Sequence, residues 1–198
     1  KVIFNIPTPT AAVQSFGISI HSTLYDFYKQ LQQGNNLTFK NLQEMLKKEW
    51  LSEGYTNKKH EEERFSQAVK MLEEFYKKEY KTYTKTLGLE LPFSFVLKNG
   101  VKVFGKIDRV DKKNNGIEII DYKTGLDNPK AEKTHRLQLA MYALAATKVK
   151  DNILNRKPQD ITLTLHFLEQ NTKKSMNFKQ EDLNKLEEEL IAKIAEIE

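Results

Sequence analysis

Hydrophobic residues in the first part of the chain recur every three to four positions, the spacing that places them on one face of an α-helix. The pattern predicts three helices, at Leu24–Leu31, Leu42–Trp50 and Phe65–Tyr83. Gly34 and Gly54 follow the first two, where a helix commonly ends. Residues 17–86 are therefore predicted to be mainly helical, and we expect the shared apolar face to be packed as core.

Further along, the pattern changes to short apolar runs bounded by turn residues, which is typical of β-strands. It predicts a sheet core over residues 88–178, with strands at Leu89–Leu97, Val101–Asp111, Ile117–Lys123, Ile161–Leu168 and a short partner at Ser175–Phe178. Lys98-Asn99-Gly100 and Lys112–Gly116 are predicted turns, and we expect Gly125 to need unusual backbone dihedrals after the third strand. Helices are predicted at His135–Thr147 and over 180–198.

This order of elements predicts an α/β fold. Three antiparallel strands, a crossover helix and further strands give a mixed β-sheet flanked by α-helices, with a helical N-terminal region. The sequence has neither an internal repeat nor a long flexible linker, so we expect residues 1–198 to form a single domain. Its apolar runs all fall well short of the roughly 20 residues of a membrane-spanning helix, so no membrane association is expected.

Charge is distributed unevenly along the chain. Lysine and arginine total 32 against 27 acidic residues, a net charge of +5. The last 20 residues carry three lysines and seven acidic residues, so residues 1–178 carry 29 basic and 20 acidic ones. A basic body suits a polyanionic partner, above all nucleic acid. The alternative is a lysine-rich surface that binds no such partner.

Cysteine is absent from the sequence. Disulfides, thiolate metal sites, cysteine nucleophiles and an iron–sulfur cluster are thereby excluded within this chain, and a cytoplasmic location is expected. The chain starts at Lys1 rather than at methionine, which suggests that it is part of a longer protein. It contains no Gly-x-x-x-x-Gly-Lys-Ser/Thr loop, so it has no ATP site of that kind.

Two predicted neighbouring strands each carry an aspartate that could hold a metal. Asp121 and Lys123 share one face of their strand, and Asp108 approaches them if the two strands pair. Two adjacent carboxylates repel each other, and a divalent cation between them removes that cost. Mg²⁺ prefers such hard oxygen ligands, and the backbone carbonyl of Tyr122 could supply another. Lys123 would then lie near the attacking water or the developing negative charge.

An ordinary ion pair is the alternative explanation of the same residues. Asp108 or Asp121 could pair across the strands with Lys123 or Arg109, and such surface pairs contribute little stability. Arg109 and Asp111 are expected to pair with each other or with neighbours. The spacing of these residues alone leaves both explanations open.

Four motifs in a fixed order resemble the RecB-type nuclease family, part of the PD-(D/E)xK or restriction-endonuclease-like superfamily. They are Gly17-Ile18-Ser19-Ile20-His21, Gly105-Lys106-Ile107-Asp108-Arg109-Val110-Asp111, Ile119-Ile120-Asp121-Tyr122-Lys123-Thr124-Gly125, and Gln138 with Tyr142. The resemblance covers roughly residues 16–170. It implies a restriction-endonuclease-like fold. Several relatives carry an iron–sulfur cluster, for which this cysteine-free chain lacks the ligands.

The resemblance also implies roles for individual residues. Asp108 and Asp121 would be metal ligands with catalytic roles, and Lys123 would be the catalytic lysine. His21 would be a further metal ligand, while Gln138 and Tyr142 would lie beside the active site on one helix face. Glu90, near the first strand, is a weaker candidate because the family often has an acidic residue there.

The function implied is that of a metal-dependent DNA nuclease, an exonuclease of recombination or repair that uses Mg²⁺ or Mn²⁺. Such a domain is often the C-terminal nuclease of a helicase, so a helicase domain is an expected partner besides DNA. The alternative is an inactive module with a nuclease fold that binds DNA or docks a helicase. Interleaved tyrosines and lysines over 76–85 would form either a wall of a DNA channel or an amphipathic helix with a lysine-rich outer face.

Overall fold

The computed structural model describes residues 11–80 and 85–195. The chain divides into two compact units, Lys1–Tyr80 and Lys81–Glu198, and each is described by itself. Within the described residues, no helix combines the length and the apolar character that crossing a membrane requires.

Three helices make up the described part of the first unit. They are α1 (Ala12–Gln32), α2 (Phe39–Glu49) and α3 (Lys58–Glu79). Thr38 caps α2 by accepting a hydrogen bond from the Asn41 amide, and Asn57 caps α3 by accepting one from the His60 amide. Such caps satisfy amide groups that the first turn of a helix leaves unpaired. The predicted helical N-terminal region is confirmed, although α1 starts well before Leu24.

The apolar faces of these helices form a core, as the sequence predicted. Phe27 and Phe75 are both fully buried, and their rings meet edge to face with centroids 6.3 Å apart. Leu24, Leu46 and Leu72 are buried as well. Aromatic pairs in this orientation add stability beyond the area that they bury.

The tyrosine and lysine side chains at the end of α3 are engaged within this unit. The Tyr76 hydroxyl donates to the Leu37 carbonyl at 2.8 Å, and its ring stacks on Tyr80 with centroids 4.8 Å apart. Lys77 pairs with Glu73 and Glu74. These contacts favour the amphipathic helix over the channel wall. Lys81 and Tyr83, which belonged to the same prediction, lie outside the described residues.

The second unit contains a five-stranded mixed sheet in the order β1-β2-β3-β4-β5. The strands are β1 (Thr86–Val96), β2 (Lys102–Lys113), β3 (Gly116–Lys123), β4 (Ile161–Phe167) and β5 (Thr172–Met176). Only the β3–β4 pair is parallel. The helix α4 (Glu132–Lys148) connects those two strands, and α5 (Gln180–Ala195) follows β5. The predicted α/β class and mixed sheet are confirmed.

Apolar side chains from the sheet and from α4 and α5 form one core in this unit. Phe93, Ile107, Ile119 and Leu163 supply it from four neighbouring strands, and Leu139 is among the residues that α4 contributes. The sheet therefore holds β3 in its centre, with β2 on one side and β4 on the other. This placement fixes the end of β3 between two strands.

Turn residues join the strands largely as the sequence predicted. In the β1–β2 turn the Gly100 amide donates to Leu97 and Gly100 has φ of +87°. At the start of β3, a side chain in place of Gly116 would bring its Cβ to 1.9 Å from the Asp160 carbonyl oxygen, so only glycine fits. The prediction for Gly125 was wrong, because the described glycines with positive φ are Gly34, Gly54 and Gly100.

Candidate active site

The end of β3 carries Asp121 and Lys123 on one face. Asp121 is 3% exposed, and its Oδ2 lies 2.7 Å from Lys123 Nζ. The pair sits opposite Leu165 and Phe167 in the parallel register with β4. Because residues two apart in a strand share a face, the apolar Ile117 and Ile119 lie on the same face of β3, directly before this charged pair.

Asp108 reaches the same end of β3 from β2. Arg109 and Ile120 form the last pair of the antiparallel register, and Asp108 and Asp121 are the residues next to that pair on the two strands. Asp108 Oδ2 accepts a hydrogen bond from the Tyr122 amide at 2.8 Å. The Asp108 carboxylate thus accepts a hydrogen bond from the backbone of β3 beyond the last paired residues of the two strands. The structure therefore brings Asp108, Asp121 and Lys123 together.

Gln138 and Tyr142 on α4 complete a hydrogen-bonded cluster around Asp121. Gln138 Oε1 accepts from Lys123 Nζ at 2.7 Å, while its Nε2 donates to Asp121 Oδ1 at 2.8 Å. The Tyr142 hydroxyl donates to the same Oδ1 at 3.0 Å. An amide is suited to this position because it accepts from an ammonium at one atom and donates to a carboxylate at the other.

Burial and neighbouring charge act on this cluster. The pKa of Asp121 is raised, chiefly because burial disfavours its charged form, and further by the Asp108 carboxylate. The Lys123 ammonium and the Tyr142 hydroxyl act in the opposite direction. Burial and the two carboxylates also raise the pKa of Tyr142, so that its hydroxyl keeps the proton that it donates.

The donor set fits a divalent cation. Asp121 Oδ2 is buried and, apart from its ion-pair contact with Lys123, accepts no hydrogen bond from the described residues. Asp108 adds a second carboxylate, and two hard oxygen donors suit Mg²⁺ or Mn²⁺. A cation here would also offset the repulsion between Asp108 and Asp121 that raises the pKa of Asp121.

Glu90 on β1 is a neighbour of Asp108. It has a left-handed φ of +45°, which is uncommon for a residue with a side chain. A carboxylate oxygen of Glu90 lies within 4.8 Å of an Asp108 ligand atom, and Glu90 also forms an ion pair with Lys106. The unusual backbone at this position is of the kind that clusters at functional sites. The sequence placed Glu90 among the candidates but gave no sign of its backbone conformation.

Arg109, Asp111 and Tyr122 form a second, buried network. Arg109 contacts Asp111 through two hydrogen bonds, Nε to Oδ1 at 2.9 Å and one terminal nitrogen to Oδ2 at 2.6 Å. Its other terminal nitrogen donates to the Tyr122 hydroxyl at 2.7 Å, and Thr86 Oγ1 donates to Asp111. The expected pairing of Arg109 with Asp111 is confirmed. The network ties β2 to the residue between Asp121 and Lys123.

Two features near the cluster were missed by reasoning from the sequence. His135 lies one turn before Gln138 on α4, and burial together with the nearby Lys123 lowers its pKa. The signal in the sequence was that His135 lies three residues before Gln138 and therefore on the same face of the helix. Gly105 leaves space for the Phe93 ring, which a Cβ would approach to 2.6 Å, and Phe93 meets Tyr142 edge to face with centroids 6.0 Å apart.

His21 and the backbone carbonyl of Tyr122 are the two remaining predicted metal ligands. His21 lies on α1 in the first unit, and its role as a ligand stays a prediction. Tyr122 is paired with His166 in the register of β3 and β4, and the role of its backbone carbonyl also stays a prediction.

Comparison with known families identifies the chain. A model described as the PD-(D/E)XK nuclease superfamily matches residues 1–198. The chain belongs to this superfamily. Asp121-Tyr122-Lys123 matches the (D/E)XK part of its name, and membership implies a nuclease.

Two further comparisons add little to the superfamily assignment. None of the curated proteins matches the chain. Among solved structures, the crystal structure of SSO0001 is similar at 12% identity with a TM-score of 0.37, over 87% of this chain and 70% of that one. A likeness this low does not bear on the chemistry of the nuclease.

Gln138 offers a test of the cluster. We expect Gln138→Leu to lower the rate of DNA cleavage by about 10- to 100-fold, since it removes the group that orients both Asp121 and Lys123. Gln138→Glu keeps an acceptor for Lys123 but adds a carboxylate beside Asp121, so it should also be impaired. The exposed Lys133→Ala on the same helix is the control, measured in the same assay. An unchanged rate for Gln138→Leu would contradict a positioning role.

Proposed function

We propose that this chain is a metal-dependent DNA nuclease that hydrolyses phosphodiester bonds. The observation that carries the proposal is the cluster of Asp108, Asp121 and Lys123 at the end of β3, with Gln138 joining the last two. Two carboxylates and a lysine in one partly buried polar cluster suit the hydrolysis of a charged ester. The superfamily match over residues 1–198 supports treating both units as one nuclease domain.

Asp108 and Asp121 would hold the cation, Mg²⁺ or Mn²⁺, with His21 and the Tyr122 carbonyl as further predicted ligands. Glu90, whose carboxylate lies near that of Asp108, is a supporting candidate. When bound, the cation supplies Lewis-acid stabilisation of phosphate charge and a more acidic water. Gln138 holds the Lys123 ammonium against Asp121 through its own two hydrogen bonds. From there Lys123 stabilises negative charge on the phosphate or orients the attacking water.

Finer features of the proposal rest on the sequence and on the family resemblance. We infer an exonuclease of the RecB type that acts in recombination or repair, with DNA as substrate and a helicase domain as partner. The net charge of +5 is compatible with a polyanionic substrate. A cytoplasmic location stays a prediction from the sequence.

Cleavage of end-labelled DNA tests the proposal. Single- and double-stranded DNA labelled at either end should be cut in Mg²⁺ or Mn²⁺. It should be left intact in EDTA, because EDTA removes the cation that Asp108 and Asp121 would hold. Restoring Mg²⁺ in excess of EDTA should restore the activity. Products released one nucleotide at a time would support an exonuclease, and the label would report its polarity.

The alternative is an inactive module with a nuclease fold. It predicts salt-sensitive DNA binding without cleavage in any metal, because phosphate contacts made by lysines and arginines weaken as salt rises. That result would contradict the proposed activity. Salt-insensitive binding to a helicase, without DNA affinity, would instead favour a docking module.

A further inference from the structure

The hairpin formed by β1 and β2 has one face that the protein core does not use. Phe93, Phe95 and Ile107 point into the core, whereas the alternate residues are exposed. We define the outer hairpin face by those exposed residues: Pro92, Ser94, Val96, Lys102, Phe104 and Lys106. The register confirms that they share a face, since Pro92 pairs with Lys106, Ser94 with Phe104 and Val96 with Lys102.

Phe104 is the most unusual residue on this face. It is 80% exposed, more than any other large hydrophobic residue in the described part of the chain. The residue opposite it is Ser94, whose short side chain leaves the ring open to solvent. A phenylalanine exposed to this extent contributes little to folding, and an exposed aromatic ring commonly marks an interaction surface.

Charge on the outer hairpin face favours a polyanion. Lys102 and Lys106 flank Phe104 along β2 on the same face, and Lys98 lies at the turn. Lys106 also pairs with Glu90, the neighbour of Asp108. Asp108 lies four positions after Phe104 along β2, about 13 Å away at the usual rise per residue. The face therefore leads to the proposed catalytic acids.

We propose that the outer hairpin face binds single-stranded DNA next to the bond that is cleaved. Phe104 stacks on an unpaired base, and Lys102 and Lys106 contact the neighbouring phosphates. A flat ring between two lysines matches the alternation of bases and phosphates in a single strand. In a duplex the bases are stacked on each other, so this face selects single-stranded over paired DNA. The inference deepens the proposed function and rests on it.

Binding of labelled oligonucleotides to the full chain in EDTA tests the inference apart from catalysis. We expect Phe104→Ala to weaken binding of a single-stranded oligonucleotide about 10- to 100-fold and to change binding of a blunt duplex by less than about twofold. Phe104→Trp should retain single-strand binding, whereas Phe104→Leu should not. Lys102→Gln should lower the salt dependence of binding by about one unit of slope.

Val13→Ala is the control, because Val13 is an exposed hydrophobic residue on α1, outside the outer hairpin face, and has no ring. It should bind single-stranded DNA like the wild type, and the thermal unfolding of all these variants should be unchanged. Wild-type binding by Phe104→Ala, equal losses in Phe104→Ala and Val13→Ala, or no single-strand binding by the wild type would each overturn the inference. If Phe104→Leu lost no more binding than Val13→Ala, the inference would also be overturned, and a protein partner would be indicated.

The two proposals fail in different ways. DNA cleavage by the wild type together with binding that does not depend on Phe104 would count against the outer hairpin face alone. Binding that depends on Phe104, without cleavage in any metal, would count against the proposed nuclease activity alone.

Discussion

Asp121→Asn is expected to abolish DNA cleavage while raising the thermal stability of the metal-free protein. The cleavage rate should fall by at least about 10³-fold, which corresponds to roughly 4 kcal/mol of activation free energy. The substitution removes a carboxylate that would hold the cation and the charge partner of Lys123. Asparagine keeps an oxygen that can accept from Gln138 and Tyr142, so the cluster should stay folded.

The gain in stability follows from the raised pKa of Asp121. For an acid whose pKa is higher in the folded protein, the charged form carries a folding cost above its ordinary pKa. That cost is fully present above the raised pKa, shrinks as the pH falls below it, and is gone below the ordinary pKa of an aspartate. Asparagine is never charged, so the melting temperature in EDTA should rise by about 2–4 °C for each kcal/mol of cost removed. The rise should vanish in acid.

Asp127→Asn is the matched control, because Asp127 follows β3 in a loop outside the cluster. It should cleave DNA at the wild-type rate in Mg²⁺, and its melting temperature should not rise. Cleavage by Asp121→Asn within tenfold of the wild type would remove Asp121 from the proposed chemistry. A fall in its melting temperature in EDTA would show that the ion pair with Lys123 outweighs the cost of burying the carboxylate.

The sequence was sufficient to predict the strands that carry these residues. Apolar runs bounded by turn residues placed β3 within one residue of its observed start, and pairing across a short turn predicted that Asp108 would approach Asp121. These features depend on local spacing, which a sequence displays directly. The start of α1 was predicted too late, because Val13 and Ile18 are exposed and the apolar pattern is weaker there.

Other features of the site depend on contacts between elements distant in sequence. Gln138 could be placed on the same helix face as Tyr142, but its bridging position between Lys123 and Asp121 requires the packing of α4 on the sheet. The left-handed backbone of Glu90 could not be predicted, because that conformation is expected at glycine rather than at glutamate. The exposure of Phe104 could not be predicted either, because a phenylalanine in a strand is expected to lie in the core.

Arg109→Leu is expected to destabilise the protein by about 3–5 kcal/mol, a large fraction of the stability of an ordinary domain. Arg109 and Asp111 have side chains only 5% and 2% exposed. Without the guanidinium, the buried Asp111 carboxylate loses its ion pair and both hydrogen bonds from Arg109, and the Tyr122 hydroxyl loses one. Removing one partner of a buried ion pair is costly, and this cost far exceeds the worth of a surface ion pair.

A double-mutant cycle separates that cost from the loss of packing. Arg109→Leu combined with Asp111→Leu removes both charges, so much of the lost stability should return, measured by urea unfolding of the full chain followed by far-ultraviolet circular dichroism. Arg109→Lys should fall between, since an ammonium cannot reproduce the forked contact with Asp111. Equal losses in the single and double variants would contradict the argument from a broken buried ion pair. Because Tyr122 stands between Asp121 and Lys123, a destabilised network should also lower cleavage even though Arg109 lies outside the proposed catalytic cluster.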